Sequence, residues 1–219
     1  QNHLVLEKLD GSMIGPFISK LNGEVYWASM RGSSEYHKHI KSLYGGTSYE
    51  DLVVELDKED HTAIFEFCSQ YNRIVIDYPE PVMTLLNVRN RLTGEYFSRE
   101  KLEAISEKFD IPVVNPFVHN CDNMNDLLAH IAKIHNMEGA VICFEDGHFA
   151  KLKGEWYLQL HKLLSHFDFE KDIAKLVLSG NQDDLMGIFD QKYPWCGTTA
   201  GVTKRVRTRS QSTRILPKT

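Results

Sequence analysis

Strand-like alternation of apolar and polar residues dominates positions 1–157, and helical spacing dominates the rest. The apolar run Leu4-Val5-Leu6 predicts a strand over 4–9. Turn residues at Asp10-Gly11-Ser12 and Asn22-Gly23 separate two further strands, over 13–20 and 24–30. Asn-Gly between two alternating runs is a strong hairpin signal. The spacing then predicts helices over 34–43 and 49–56, strands over 62–68, 73–76 and 84–89, and a turn at Thr93-Gly94. Ser98 is placed to cap a helix reaching about 109. A helix over 125–135 follows, and strands over 138–144 and 148–153 form a hairpin across Glu145-Asp146-Gly147. Beyond 157, helices are predicted over 158–164, 169–178 and 183–189. The change of period at 157 marks the expected domain boundary.

Lys8 and Asp10 stand out against this pattern. On one extended strand they share a face with Leu4 and Leu6. A partly desolvated lysine gives up its charge more readily and becomes a nucleophile. The plainer reading is a strand end with a salt-bridged turn. Glu66 lies on a strand face with Ile64 and Cys68, where an ionised carboxylate needs a partner. That partner is either a buried arginine such as Arg73 or a nucleotide or hydrated metal. Residues 139–144 are apolar on both faces and read as an interior strand. Glu138 stands at its mouth, either as a hairpin-end residue or facing a ligand. Lys151 and Lys153 share a face with Phe149. They are either solvated on an edge strand or bridged by an anion such as phosphate.

Charge narrows the partners. The net charge of −5 conceals six basic and no acidic residues over 203–219, which leaves 1–202 at −11. An acidic body argues against broad non-specific nucleic-acid binding, so a polyanion site must be a local basic cluster. Residues 196–219 read as a basic, disordered tail, either a nucleic-acid arm or a foreign extension. The four cysteines show no C-x-x-C spacing and read as free thiols in a reducing compartment. His37 and His39 point apart on their helix. His119 and Cys121 lack further ligands at a sensible spacing. Gly45-Gly46 lacks the surroundings of a phosphate loop. No apolar run is long enough to span a membrane, and no secretory signal is visible. The chain opens almost directly on a strand, which suggests that sequence upstream is missing.

The order of these features carries more than each alone: Lys8-Leu9-Asp10-Gly11-Ser12, then Phe65-Glu66-Phe67, Glu138-Gly139 and Lys151-Leu152-Lys153 with Trp156 and Tyr157. Over residues 6–189 the chain resembles the ATP-dependent RNA ligase 1 family of T-even-type bacteriophages, within the covalent nucleotidyltransferases. Arg31-Gly32-Ser33, Asn72-Arg73-Ile74-Val75-Ile76, Leu85-Leu86-Asn87-Val88-Arg89 and Thr93-Gly94-Glu95-Tyr96 also fit. DNA ligases share Lys-x-Asp-Gly without the stretches from Asn72 to Arg89.

The resemblance implies an α+β fold: an adenylylation domain of antiparallel sheets with flanking helices over 1–157, then the start of a small helical module over 158–195. It implies ATP as substrate and Mg²⁺ or Mn²⁺ as metal. It assigns Lys8 as nucleophile and Lys151 and Lys153 as catalytic phosphate contacts. Nucleotide contacts would come from Lys8, Arg31, Glu66, Glu138, Lys151, Lys153 and Tyr157. Asp10, Glu66 and Glu138 would hold the metal through water, or Glu66 would touch the ribose. The expected partner is RNA with 5'-phosphate and 3'-hydroxyl ends, nicked tRNA included, acted on by a monomer in the host cytoplasm. The family carries a substantial region before its nucleophile, whereas seven residues precede Lys8 here. The alternatives are a truncated, inactive nucleotide- or RNA-binding module, and a DNA-end or cap-forming transferase of the same fold.

Overall fold

The computed structural model describes residues 3–30, 32 and 36–166, with side chains to 162. Its seven strands form two antiparallel sheets. Strands β1 (His3–Lys8), β6 (Gly139–Phe144) and β7 (Phe149–Lys153) pair in the order β1-β6-β7. Strands β2 (Ser12–Ile18), β3 (Val25–Ser29), β4 (His61–Cys68) and β5 (Val82–Asn90) pair in the order β3-β2-β4-β5. Both predicted hairpins form, β2–β3 and β6–β7. The interior strand expected over 139–144 is β6, flanked on both sides.

Period-two alternation gives each sheet one apolar face. In the larger sheet Ile14, Trp27, Phe65, Phe67, Met83 and Leu85 are fully buried. Against them pack Ile40 of α1 (His37–Tyr44), Leu52, Val53 and Leu56 of α2 (Ser48–Asp57), and Leu102 of α3 (Arg99–Phe109). In the smaller sheet Val5, Ala140 and Ile142 pack on Phe117 and on Leu127 and Ile131 of α4 (Met124–Ala132). Local signals start these helices. Thr47, Ser98 and Asn123 each accept a backbone N–H of the first turn, which satisfies one otherwise unpaired donor.

Three expectations change. Residues 73–76 are not a strand, because the N–H groups of Val75 and Ile76 bond the Asp10 carboxylate instead of a neighbouring strand. Strand β1 stops at Lys8, so Asp10 lies outside it and does not share the lysine's strand face. The turn expected at 10–12 carries the chain from the small sheet to the large one. The helix expected from 158 starts earlier, as α5 (Glu155–His166), and includes Trp156 and Tyr157. Packing divides the chain after Leu160. Arg31, Ser33, the helices expected over 169–178 and 183–189, and the basic tail lie outside the described residues.

Candidate active site

Strand register places the charged residues. Lys8, the last residue of β1, is opposite Gly139, and Gly139 is opposite Lys153. Paired residues share a face, so Lys8 and Lys153 flank the glycine in one row across the small sheet. Glu138 sits at the head of this row with its side chain 4% exposed, and its two oxygens each lie 2.8 Å from a lysine, Lys8 Nζ and Lys153 Nζ. A buried carboxylate needs such partners. One carboxylate shared by two ammonium groups leaves the row with an excess positive charge.

Gly139 makes this arrangement possible. Its φ is +149°, and a Cβ there would come within 2.0 Å of the Leu152 carbonyl oxygen. Any side chain would push β6 and β7 apart and separate Glu138 from Lys153. One row further on, Lys151 lies opposite Val141 and Leu6, exposed, with no carboxylate partner among the described residues.

Glu66 comes from the other sheet, opposite Met13 and Thr84. Its Oε1 accepts the Gly11 N–H at 3.2 Å. Burial pushes this carboxyl up to about 7, with Lys8 pulling it back and Glu138 adding to the rise. Gly11 lets the segment after Lys8 pass close to β4, because a Cβ there would meet the Phe67 carbonyl oxygen at 2.4 Å. Arg73 forms an ion pair with Asp77 at 2.8 Å.

Asp10 and Tyr157 meet in the interior. Asp10 is 2% exposed. Its Oδ2 accepts the N–H groups of Val75 (2.8 Å) and Ile76 (2.7 Å), and its Oδ1 accepts the Tyr157 hydroxyl at 2.7 Å. The Tyr78 hydroxyl accepts the Asp10 N–H at 3.2 Å. Asp10 is therefore tied to protein donors that anchor the loop after Lys8. Tyr157 is 1% exposed. Burial, then the Asp10 carboxylate, pushes its phenol far up. Its ring lies 5.1 Å from Lys153 Nζ and supports that lysine.

The sequence reading gave no role to Asn72 and Tyr78. Asn72 Nδ2 donates to the Phe67 carbonyl (2.7 Å) and to Ser12 Oγ (3.0 Å), which ties the start of β2 to the end of β4. The only signal was that Asn72 lies in a family-specific stretch. His37 stacks on Tyr26 and accepts the Trp27 N–H, and His119 accepts the Cys121 N–H. Among the described residues no three His, Cys, Asp or Glu side chains form a metal-ligand group. Glu66 and Glu138 remain as two acids beside Lys8.

A model of the RNA ligase family, of the T4 RNA ligase 1 type, matches residues 1–161. The chain belongs to this family. It is 29% identical over 209 residues to a protein of Autographa californica nuclear polyhedrosis virus named as a bifunctional polynucleotide kinase/RNA ligase, covering 86% of this chain and 28% of that protein. It is 25% identical over 190 residues to a protein of Thermovibrio ammonificans named as an RNA ligase, covering 83% of this chain and 49% of that one. The chain thus spans half or less of the length of these relatives. Among solved structures, an archaeal ATP-dependent RNA ligase aligns with a TM-score of 0.58 at 16% identity, over 94% of this chain and 56% of that chain. A Naegleria gruberi RNA ligase with ATP and Mn aligns with a TM-score of 0.56 at 14% identity, over 73% of this chain and 51% of that chain. The fold is that of RNA ligase nucleotidyltransferase domains, the expected α+β class.

Proposed function

We propose that this chain carries the adenylylation centre of an ATP-dependent RNA ligase, with Lys8 as the nucleophile. The observation that supports this is the pair of lysines held on one buried carboxylate beside Glu66. The Lys8 amine attacks the α-phosphorus of ATP. An N–P bond forms, the bond to the bridging oxygen breaks, pyrophosphate leaves with the electron pair, and the lysine gives up its proton. AMP then passes to an RNA 5'-phosphate, which restores Lys8. An RNA 3'-hydroxyl finally attacks that phosphate and displaces AMP.

Each remaining residue has a task. Lys153, oriented by Glu138 and the Tyr157 ring, offers fixed positive charge to the α-phosphate, where it does most good as charge shifts during transfer. Lys151, without a carboxylate partner, offers a second charge on the same face. Arg31 is a further phosphate contact by family likeness. Glu138 holds Lys8 in an ion pair, and that pair must loosen before the amine can attack.

The acids suit a divalent cation. Glu66 sits where ionisation is disfavoured by burial, and two carboxylates without a full cage match an ion that keeps several waters. Glu66 and Glu138 would hold Mg²⁺ or Mn²⁺ there, and the ion would supply positive charge favouring the uncharged amine. We read residues 1–157 as the adenylylation domain and 158–195 as the start of a helical module. The RNA partner is a strand with a 5'-phosphate and a 3'-hydroxyl, such as nicked tRNA, joined by a monomer in the host cytoplasm. None of the described helices is long and apolar enough to cross a membrane.

Incubation with α-labelled ATP and magnesium, followed by a denaturing gel, tests the proposal. Wild type should take up a covalent label, and Lys8→Ala should not. Folded wild type that stays unlabelled would assign the chain to nucleotide or RNA binding without step one.

A further inference from the structure

The Thr93-Gly94-Glu95-Tyr96 stretch has no part in the chemistry above, yet it holds an arginine in a defined posture. Arg89 is opposite Thr62, so by register it lies on the sheet face that carries Glu66. Its Nε donates to the Gly94 carbonyl at 3.2 Å, and its guanidinium carbon stands 5.7 Å from the Tyr96 ring centroid. Gly94 (φ +81°) leaves the room, since a Cβ there would come 2.9 Å from an Arg89 terminal nitrogen. The terminal N–H groups of this clamped, exposed guanidinium have no partner among the described residues. Tyr96 meets Phe149 edge-on at 5.1 Å, and both rings are exposed, by 40% and 43%. Phe149 shares its face with Lys151 and Lys153. A strip therefore runs from Arg89 across two aromatic rings to the lysines.

A pre-oriented guanidinium fork with free donors suits a phosphate. That phosphate is not one of ATP's. Phe149 lies four strand positions from Lys153, roughly 13 Å, and Arg89 is beyond it. The base end of ATP carries no negative charge. An anion at Arg89 must belong to another molecule, and cations interleaved with exposed rings fit single-stranded nucleic acid. On an otherwise acidic body, such a local cluster is where a polyanion can settle.

We infer that Arg89, Tyr96 and Phe149 form a contact for the RNA strand, with a backbone phosphate on Arg89 and an unstacked base against the aromatic pair. This rests on the RNA ligase reading and adds where, within this chain, the polynucleotide lies.

The test measures two things on the full chain: binding of a fluorescent 5'-phosphorylated single-stranded RNA by anisotropy across a salt series, and covalent labelling from α-labelled ATP. Tyr96→Ala should weaken RNA binding about tenfold, the loss of one stacked base. Arg89→Ala should reduce the slope of log affinity against log salt by about 0.7, the loss of one phosphate contact on a single strand. Both variants should label from ATP as wild type does. Unchanged RNA affinity and slope would overturn the inference. So would labelling that falls in step with RNA binding, because the strip would then belong to the nucleotide site. Wild type that binds RNA through this strip without taking up label would support the contact and overturn the adenylylation reading instead.

Discussion

Each sheet of this protein contributes to the site, but they treat their buried charge differently. The four-stranded sheet rests on a large core and brings Glu66, whose carboxyl is raised by burial and is held by one backbone N–H. The three-stranded sheet has a smaller core and brings Glu138, clasped between two ammonium groups. Between them the crossing segment carries Asp10, which is satisfied by two backbone N–H groups and a phenol. Three acids near one lysine thus have three environments. Glu138 pairs with two cations, Glu66 accepts one backbone N–H, and Asp10 accepts three donors. Proximity in sequence to Lys8 does not decide which acid pairs with it; the strand register does.

The sharpest way to break this contrast is Lys8→Ala, which should lower covalent AMP uptake by at least about 10³-fold, the scale for removing a nucleophile. Gly139→Ala comes next. Its methyl has no room against Leu152, so the small sheet should lose about 3 kcal/mol by urea denaturation and labelling should fall with it. Loss of stability with labelling intact would show that the Glu138–Lys153 contact is not needed.

Glu66→Gln tests the incomplete acid. The folded carboxyl titrates at about 7, above its ordinary 4.5. Between those values the folded state holds a proton that the unfolded chain has released. Wild-type stability therefore falls as pH rises through this window, and the glutamine variant escapes that loss. Relative to wild type, the variant should gain about 3 kcal/mol in apo stability between pH 4.5 and 8. An unchanged difference between the two proteins across that range would mean Glu66 is already paired in solution. The smallest effect belongs to Tyr157→Phe, which removes one donor from Asp10 and should cost about 1 kcal/mol. ATP affinity should hold. A large rise in the KM for ATP would place Tyr157 among the nucleotide contacts.

What the sequence could disclose followed the range of each interaction. The β2–β3 and β6–β7 hairpins and the Ser98 cap are local, and turn chemistry alone announces them. Lys8, Glu138 and Lys153 were legible because charged residues at strand ends contradict an apolar pattern. The Asp10–Tyr157 bond joins positions 147 apart, and no periodicity carries that information. Residues 73–76 misled for the same reason. An apolar run looks like a strand until its N–H groups are traced to an acid 65 positions away. The crossing between sheets at 9–11 was hidden because a Gly-Ser turn does not show whether its flanking strands pair.

The register of β1 with β6 has a consequence for the timing of biosynthesis. His3 pairs with Phe144 and Lys8 with Gly139, so the first strand emerges from the ribosome long before its partner exists. At about 5–20 residues per second of synthesis, Lys8 waits on the order of ten seconds as part of an unpaired edge. During that interval neither Glu138 nor Lys153 has been made. The carboxylate that pairs with Lys8 therefore reaches it only when this sheet closes.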